Sequence, residues 1–167
     1  KGDILNFNEI TSDLKFFFAS RSKIASILGA DNILIWKNQA EDFLKYHPAI
    51  NSLTIEKDFS NKTINISIEN RQKFGIFCSI IECWWFDREG IIFGKASRIE
   101  GELIYNINDL SERKLEIGEK VLSQKFFDNA IKILEIMEEI GLNIKTLNIS
   151  GLDLQEAYVD SPLIPKI

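Results

Sequence analysis

The sequence is short of the residues that build covalent frameworks and catalytic centres. It holds one His, two Cys, one Met and three Pro in 167 residues. A lone His47 has no partners at metal-ligand spacing, and a proton-transfer site needs partners too. Two Cys cannot supply the disulfide framework of a small secreted fold. Three Pro and nine Gly exclude collagen-like and low-complexity chains. No run approaches the roughly 18 apolar residues that would span a bilayer. Positive charge is also in short supply: 20 Lys and Arg stand against 25 Asp and Glu, a formal charge of −5. The chain therefore lacks the overall footprint of a nucleic-acid binder, although a local basic patch stays open.

What is present is ordinary core material. Apolar residues make up 45% and charged residues 27%, which excludes a disordered chain. Twelve Phe, three Trp and three Tyr can fill a core, and 28 Ile favour sheet. The length fits one domain or two small ones. The chain opens Lys1-Gly2-Asp3 without Met and stops at Ile167 with no evident terminal element. It reads as a piece of something longer.

Along the chain, Thr11-Ser12-Asp13 offers cap chemistry for a helix through Leu14, Phe17, Phe18, Ile24, Ile27 and Leu28. Ser20-Arg21-Ser22 predicts a bend or two short helices, and Gly29 a stop. Ile33–Trp36 reads as a short extended segment. Asn38 and Glu41 resemble a capping box for a second helix with Ala40, Phe43 and Leu44 inward, ending before Pro48. Residues 51–59 and 63–69 alternate and predict a hairpin around Ser60-Asn61-Lys62. A first strand, if present, lies at or before Lys1.

The second half is strand-rich. Phe74–Cys78, Cys83–Phe86, Ile91–Phe93, Arg98–Tyr105, Lys145–Ile149 and Leu154–Val159 read as strands, with a turn at Asp87–Gly90. Phe126, Phe127, Ala130, Ile131, Leu134, Met137 and Ile140 form one apolar stripe, a helix over about 123–140 closed by Gly141.

No catalytic signature is found. Gly90-Ile91-Ile92-Phe93-Gly94-Lys95 has three residues between its glycines where a phosphate loop needs four, so it reads as a hairpin. His47 reads as a polar residue at a helix C-terminus, and Glu138-Glu139 as a solvated helix face. Asn61, Asn65 and Asn148 head glycosylation-type triplets that such a composition produces by chance. Cys78 and Cys83 each bound a strand across four residues. The spacing fits a hairpin disulfide, worth about 2 kcal/mol for so small a loop, and equally two buried small apolar side chains.

Order and spacing bring these pieces together. The segment Ala30–Trp36 with Asn32, the helix ending Tyr46-His47-Pro48-Ala49-Ile50, and the strands Leu53–Phe59 and Thr63–Arg71 resemble a POTRA domain of the FtsQ/DivIB cell-division family. Trp84-Trp85-Phe86-Asp87-Arg88-Glu89-Gly90 and the strand after it resemble the start of that family's second, β domain. The helix near 123–140 and the strand Lys145–Ile149 fit its later part. The resemblance spans most of residues 24–160. It departs from the family in a first POTRA strand that is missing or truncated, in last β-domain strands that are absent or cut, and in the paired cysteines.

The resemblance implies an α+β fold, with a POTRA-like domain (1–71, two helices on a small sheet) followed by a β-rich domain (72–167) with one long helix. The two should meet near 70–74 through a modest interface. It implies a bacterial single-pass membrane protein whose anchor lies outside this chain, with this part extracytoplasmic. It further implies a non-enzymatic scaffold of the divisome, without cofactor, metal or nucleic acid, that binds membrane proteins of the FtsB/DivIC and FtsL type. The partner-binding edge would fall at Ala157, Tyr158 and Val159, since an open sheet edge accepts a partner strand. The alternative for Tyr158 is a core residue packed on the helix at 123–140. An oxidising compartment would join Cys78 to Cys83. Two other readings are a POTRA-type module of an outer-membrane assembly or secretion factor, and a small α+β enzyme.

Overall fold

A computed structural model of the chain describes residues 7–37, 40–98, 103–110, 113–151 and 156–158, with side chains as far as Ile149. The architecture is α+β. The chain divides into two compact units, Lys1–Arg71 and Gln72–Ile167.

The first unit opens with helix α1 (Phe7–Arg21), which buries Ile10, Leu14 and Phe18, four residues apart on one face. It starts upstream of the expected Thr11 cap. The Thr11 hydroxyl donates to the Phe7 carbonyl at 2.7 Å, a bond made inside the helix to the preceding turn, so it cannot cap. The predicted break holds: α1 ends at Arg21, and a single turn, α2 (Ala25–Leu28), follows and stops at Gly29, whose φ is +80°. Ile33–Ile35 is a 3-10 turn rather than an extended segment. The Asn32 side chain accepts from Leu34 N at 3.0 Å, and this local bond outweighs the β preference of the Ile-Leu-Ile run.

Helix α3 (Glu41–Tyr46) starts after Ala40, which makes no side-chain cap bond. The expected cap Asn38 lies outside the described residues. The helix stops before Pro48, and the His47 ring stacks on Phe43 at 4.1 Å. Strands β1 (Ile50–Asp58) and β2 (Thr63–Asn70) form an antiparallel pair with Leu53 opposite Ile68 and Ile55 opposite Ile66. Their apolar face joins Leu14, Phe18, Trp36 and Phe43 in one core. At the turn, the Asp58 carboxylate accepts from Asn61 N at 3.0 Å and Asn61 Nδ2 at 2.7 Å. Any strand at or before Lys1 lies outside the described residues.

The second unit is a six-stranded mixed sheet in the order β5-β4-β3-β6-β7-β8. The strands are β3 (Gly75–Cys78), β4 (Cys83–Phe86), β5 (Ile92–Ala96), β6 (Tyr105–Asp109), β7 (Thr146–Gly151) and β8 (Glu156–Tyr158). Helix α4 (Gln124–Glu139) joins β6 to β7, which run parallel. It buries Phe127, Ala130 and Leu134 against Phe77, Phe86, Ile107 and Leu147. Ile140, expected on the inner stripe, is exposed instead. The helix ends one residue earlier, and Gly141 at φ +84° turns the chain away.

Of the strand expected at Arg98–Tyr105, residues 99–102 lie outside the described residues. Tyr105 begins β6 rather than ending a strand, because parallel pairing with β3 and β7 places Ile107 in the core. On the sheet face away from α4, Ile76, Cys78 and Cys83 form a smaller cluster with Trp85, Ala96 and Ile104.

Candidate functional site

The β3–β4 hairpin is clamped at its tip. Cys78 and Cys83 face each other across the register and form a disulfide, with Cα atoms 4.1 Å apart. The next pair outward, Ser79 and Glu82, is hydrogen-bonded (N to O, 2.9 Å). The cysteines therefore occupy a non-hydrogen-bonded pair, where antiparallel strands approach most closely. Both cysteines are buried, and of the two readings of this pair the structure has the disulfide, with neither thiol free. The bond points to an oxidising, extracytoplasmic setting. Among the described residues, no helix is long and apolar enough to cross a membrane.

The Ser79 hydroxyl oxygen accepts from Ile81 N and Glu82 N, and Ile80 and Ile81 are left exposed at the tip. A cavity of about 600 Å³ lies beside it, with Trp84 and Leu115 in its wall and Arg113 and Lys114 at its side.

The next turn holds the motif that carries the family resemblance in this unit. Asp87 is buried, and its carboxylate accepts from Glu89 N at 3.0 Å and Ile91 N at 2.9 Å. Gly90 has φ +74°, and a Cβ there would meet the Phe127 ring at 3.0 Å. The Asp-x-x-Gly pattern is thus a self-capped turn that lets α4 close onto the sheet. Trp84 and Phe86 point into the main core, Phe86 meeting Phe127 edge-on at 5.6 Å. Trp85 lies on the opposite face with Lys73 Nζ 4.5 Å above its ring. Gly94 and Lys95 sit within β5, and Lys95 pairs with Glu82 at 3.0 Å, which is strand geometry rather than a phosphate loop.

In the first unit, Asn32 caps the 3-10 turn. The Pro48 carbonyl accepts from Arg71 Nε at 2.9 Å, tying the end of α3 to the end of β2. Every one of these family-like residues has a structural task.

The expected partner edge falls on β8. Its register sets Ala157 opposite Ile149 and Tyr158 opposite Asn148, and β8 ends the strand order. Val159 lies outside the described residues, as does the Tyr158 side chain. The edge is defined here by backbone alone.

An ion pair on a buried aspartate escaped the sequence reading. Asp109, 1% exposed at the end of β6, accepts from Arg113 Nε at 3.2 Å and pairs with Nη2 at 3.1 Å. Nη2 also donates to the Val121 carbonyl, and the guanidinium lies 5.5 Å from the Phe77 ring centre. The available signal was the four-residue spacing of Asp and Arg after an alternating run. The pair ties Arg113 to the end of β6. Glu138 accepts from the Tyr105 hydroxyl at 3.4 Å. Burial, then the Glu138 charge, pushes the Tyr105 phenol above its usual value. Among the described residues, no group of three or more His, Cys, Asp or Glu is placed to hold a metal ion.

No family model matches the chain, and no curated protein matches it.

Proposed function

We propose that this chain is an extracytoplasmic part of a bacterial cell-division scaffold of the FtsQ/DivIB type. In this reading it does no chemistry. It binds divisome membrane proteins of the FtsB/DivIC and FtsL kind by strand addition to the second unit, and an anchor outside this chain holds it to the membrane.

The observation that carries the reading is the position of β8. Among the described residues it ends the six-strand order, with Ala157 and Tyr158 on it. An end strand turns one row of backbone N–H and C=O groups away from its sheet, and such a row can pair with an incoming strand. Three further features support the assignment. Helices precede a hairpin in the first unit, as a POTRA pattern requires. The Asp87–Gly90 turn sits between two strands of a sheet backed by one long helix. The disulfide fits a compartment outside the cytoplasm.

The test is binding of the extracytoplasmic segment of a FtsB/DivIC-type partner, read by amide hydrogen exchange. Strand addition predicts new protection in β8, and Ala157→Pro, which removes an edge donor, should abolish binding. Protection confined to the first unit, or binding unchanged in the Ala157→Pro variant, would overturn the proposal.

A further inference from the structure

Helix α2 buries none of its residues. Ile27 on it is 81% exposed, and Leu34 in the following 3-10 turn is 59% exposed. Ile24 and Leu28 are exposed too. Four large apolar side chains thus meet water within one short stretch, and folding alone gives no reason to display them. The stretch is bracketed by cations, Arg21 and Lys23 before it and Lys37 after it.

Those three cations share one cavity of about 480 Å³, with Phe18 and Leu34 in its wall and Ser22 at its side. The Arg21 guanidinium carbon lies 3.8 Å from the centre of the Phe17 ring. Stacking holds the guanidinium face and leaves its N–H edges available to an anion. Among the described residues, none of the three cations makes an ion pair.

Two carboxylates, Glu41 and Asp42, also reach the cavity. Asp42 is bound to Lys45 at 3.0 Å. That bond, with lesser help from Arg21 and Lys37, holds its carboxyl below the usual range. The cavity is therefore net cationic. It lies in the unit that is not acidic: residues 1–71 hold nine Lys and Arg against nine Asp and Glu, whereas residues 72–167 hold eleven against sixteen.

We propose that this cavity and the apolar stretch beside it dock onto an anionic phospholipid surface. A phosphate headgroup enters among Arg21, Lys23 and Lys37, and Ile24, Ile27 and Leu34 enter the interfacial layer. A phosphodiester offers the anionic oxygens that suit an arginine edge. Its acyl chains cover the exposed apolar residues, which a free phosphate would leave in water. The chain's overall charge of −5 opposes non-specific attraction to such a surface, so binding would report this local site. The proposal does not rest on the division-scaffold reading.

The experiment uses the whole chain and flotation with two vesicle types, phosphatidylcholine alone and phosphatidylcholine mixed with phosphatidylglycerol. Binding is expected to the mixed vesicles only, and to weaken as salt rises. Arg21→Gln, Lys23→Gln and Lys37→Gln together should cut it on the order of a hundredfold, from about fivefold per cation. Ile27→Ser with Leu34→Ser should cut it about tenfold or more; both residues are exposed, so the fold should survive, with circular dichroism as the check. Inorganic phosphate, titrated alone and read by amide shifts at Ser22, separates the sources. Failure to float with anionic vesicles overturns the proposal, as does full binding by either multiple variant. Saturation by inorganic phosphate without vesicle binding would assign the cavity to a free anion and also overturn it.

Discussion

The two units use similar residues and hold themselves together by different means. In the first, helices α1 and α3 share one core with a two-stranded hairpin, and that core is a string of aromatic contacts: Phe17 with Phe18 and Phe43, Phe18 with Trp36. Its strand pairing is local. In the second, six strands are backed by one sixteen-residue helix, and the central pairings, β3 with β6 and β6 with β7, are parallel. Parallel neighbours need long crossover connections. The second unit also carries a disulfide and a part-buried ion pair. The contrast shows two ways to complete a small sheet. One leans on aromatic side chains carried by α1 and α3, the other on long-range pairing secured at a few points.

The largest expected effect removes the ring at the centre of the second core. Phe127→Ala should cost about 3–5 kcal/mol, because Phe127 fills the space between Phe86 and Gly90. Denaturant unfolding with amide exchange measures it. Protection should fall in β3 through β7, and equal loss in β1 and β2 would break the contrast between the units. Next, Cys78→Ser with Cys83→Ser should cost about 2 kcal/mol by the closed-loop argument, read as a lowered denaturation midpoint. An unchanged midpoint would mean that pairing with β6 and β5 already holds the hairpin.

Gly90→Ala should cost about 1–2 kcal/mol, since an L-residue at φ +74° is strained and its Cβ would press on Phe127. Chemical denaturation decides this, and a neutral result would show that α4 can retreat. The smallest effect concerns the first unit and pH. Hydrogen bonds from Asn61 hold the Asp58 carboxyl below its ordinary value of 3.8. Its contribution to the hairpin is therefore present above about pH 4 and lost as pH falls through the lowered value. The protection factor of the Asn61 amide, its exchange rate relative to the intrinsic rate at the same pH, should fall below that range in wild type, while Asp58→Asn should flatten the dependence.

Much of the local structure was legible in the residues. The hairpin of β1 and β2 follows from alternation at Leu53 and Ile55 and at Ile64, Ile66 and Ile68 around a polar turn, and α4 from an apolar stripe closed by glycine. The breaks at Ser20–Ser22 and before Pro48 follow from backbone chemistry that acts within a turn or two. The misreadings share a cause. Thr11 is a cap by residue type, yet its hydroxyl bonds back to Phe7 within a helix that starts earlier. Ile33–Ile35 has strand composition, yet Asn32 folds it into a 3-10 turn. The candidate partner edge was placed by resemblance, and its position at the end of the sheet appears only in the strand order.

The sequence alone determined which segments are apolar on one side and where the chain turns, because periodicity, proline, glycine and side-chain caps act between residues a few positions apart. It also set Cys78 and Cys83 close enough to meet. Tertiary structure alone decided that β6 begins at Tyr105 and runs parallel between β3 and β7. Tertiary structure likewise placed Asp109 and Arg113 against the core and brought Arg21, Lys23 and Lys37 to one cavity. Those outcomes depend on which distant segments exclude water together. That free energy belongs to the packed arrangement, and no single stretch of chain carries it.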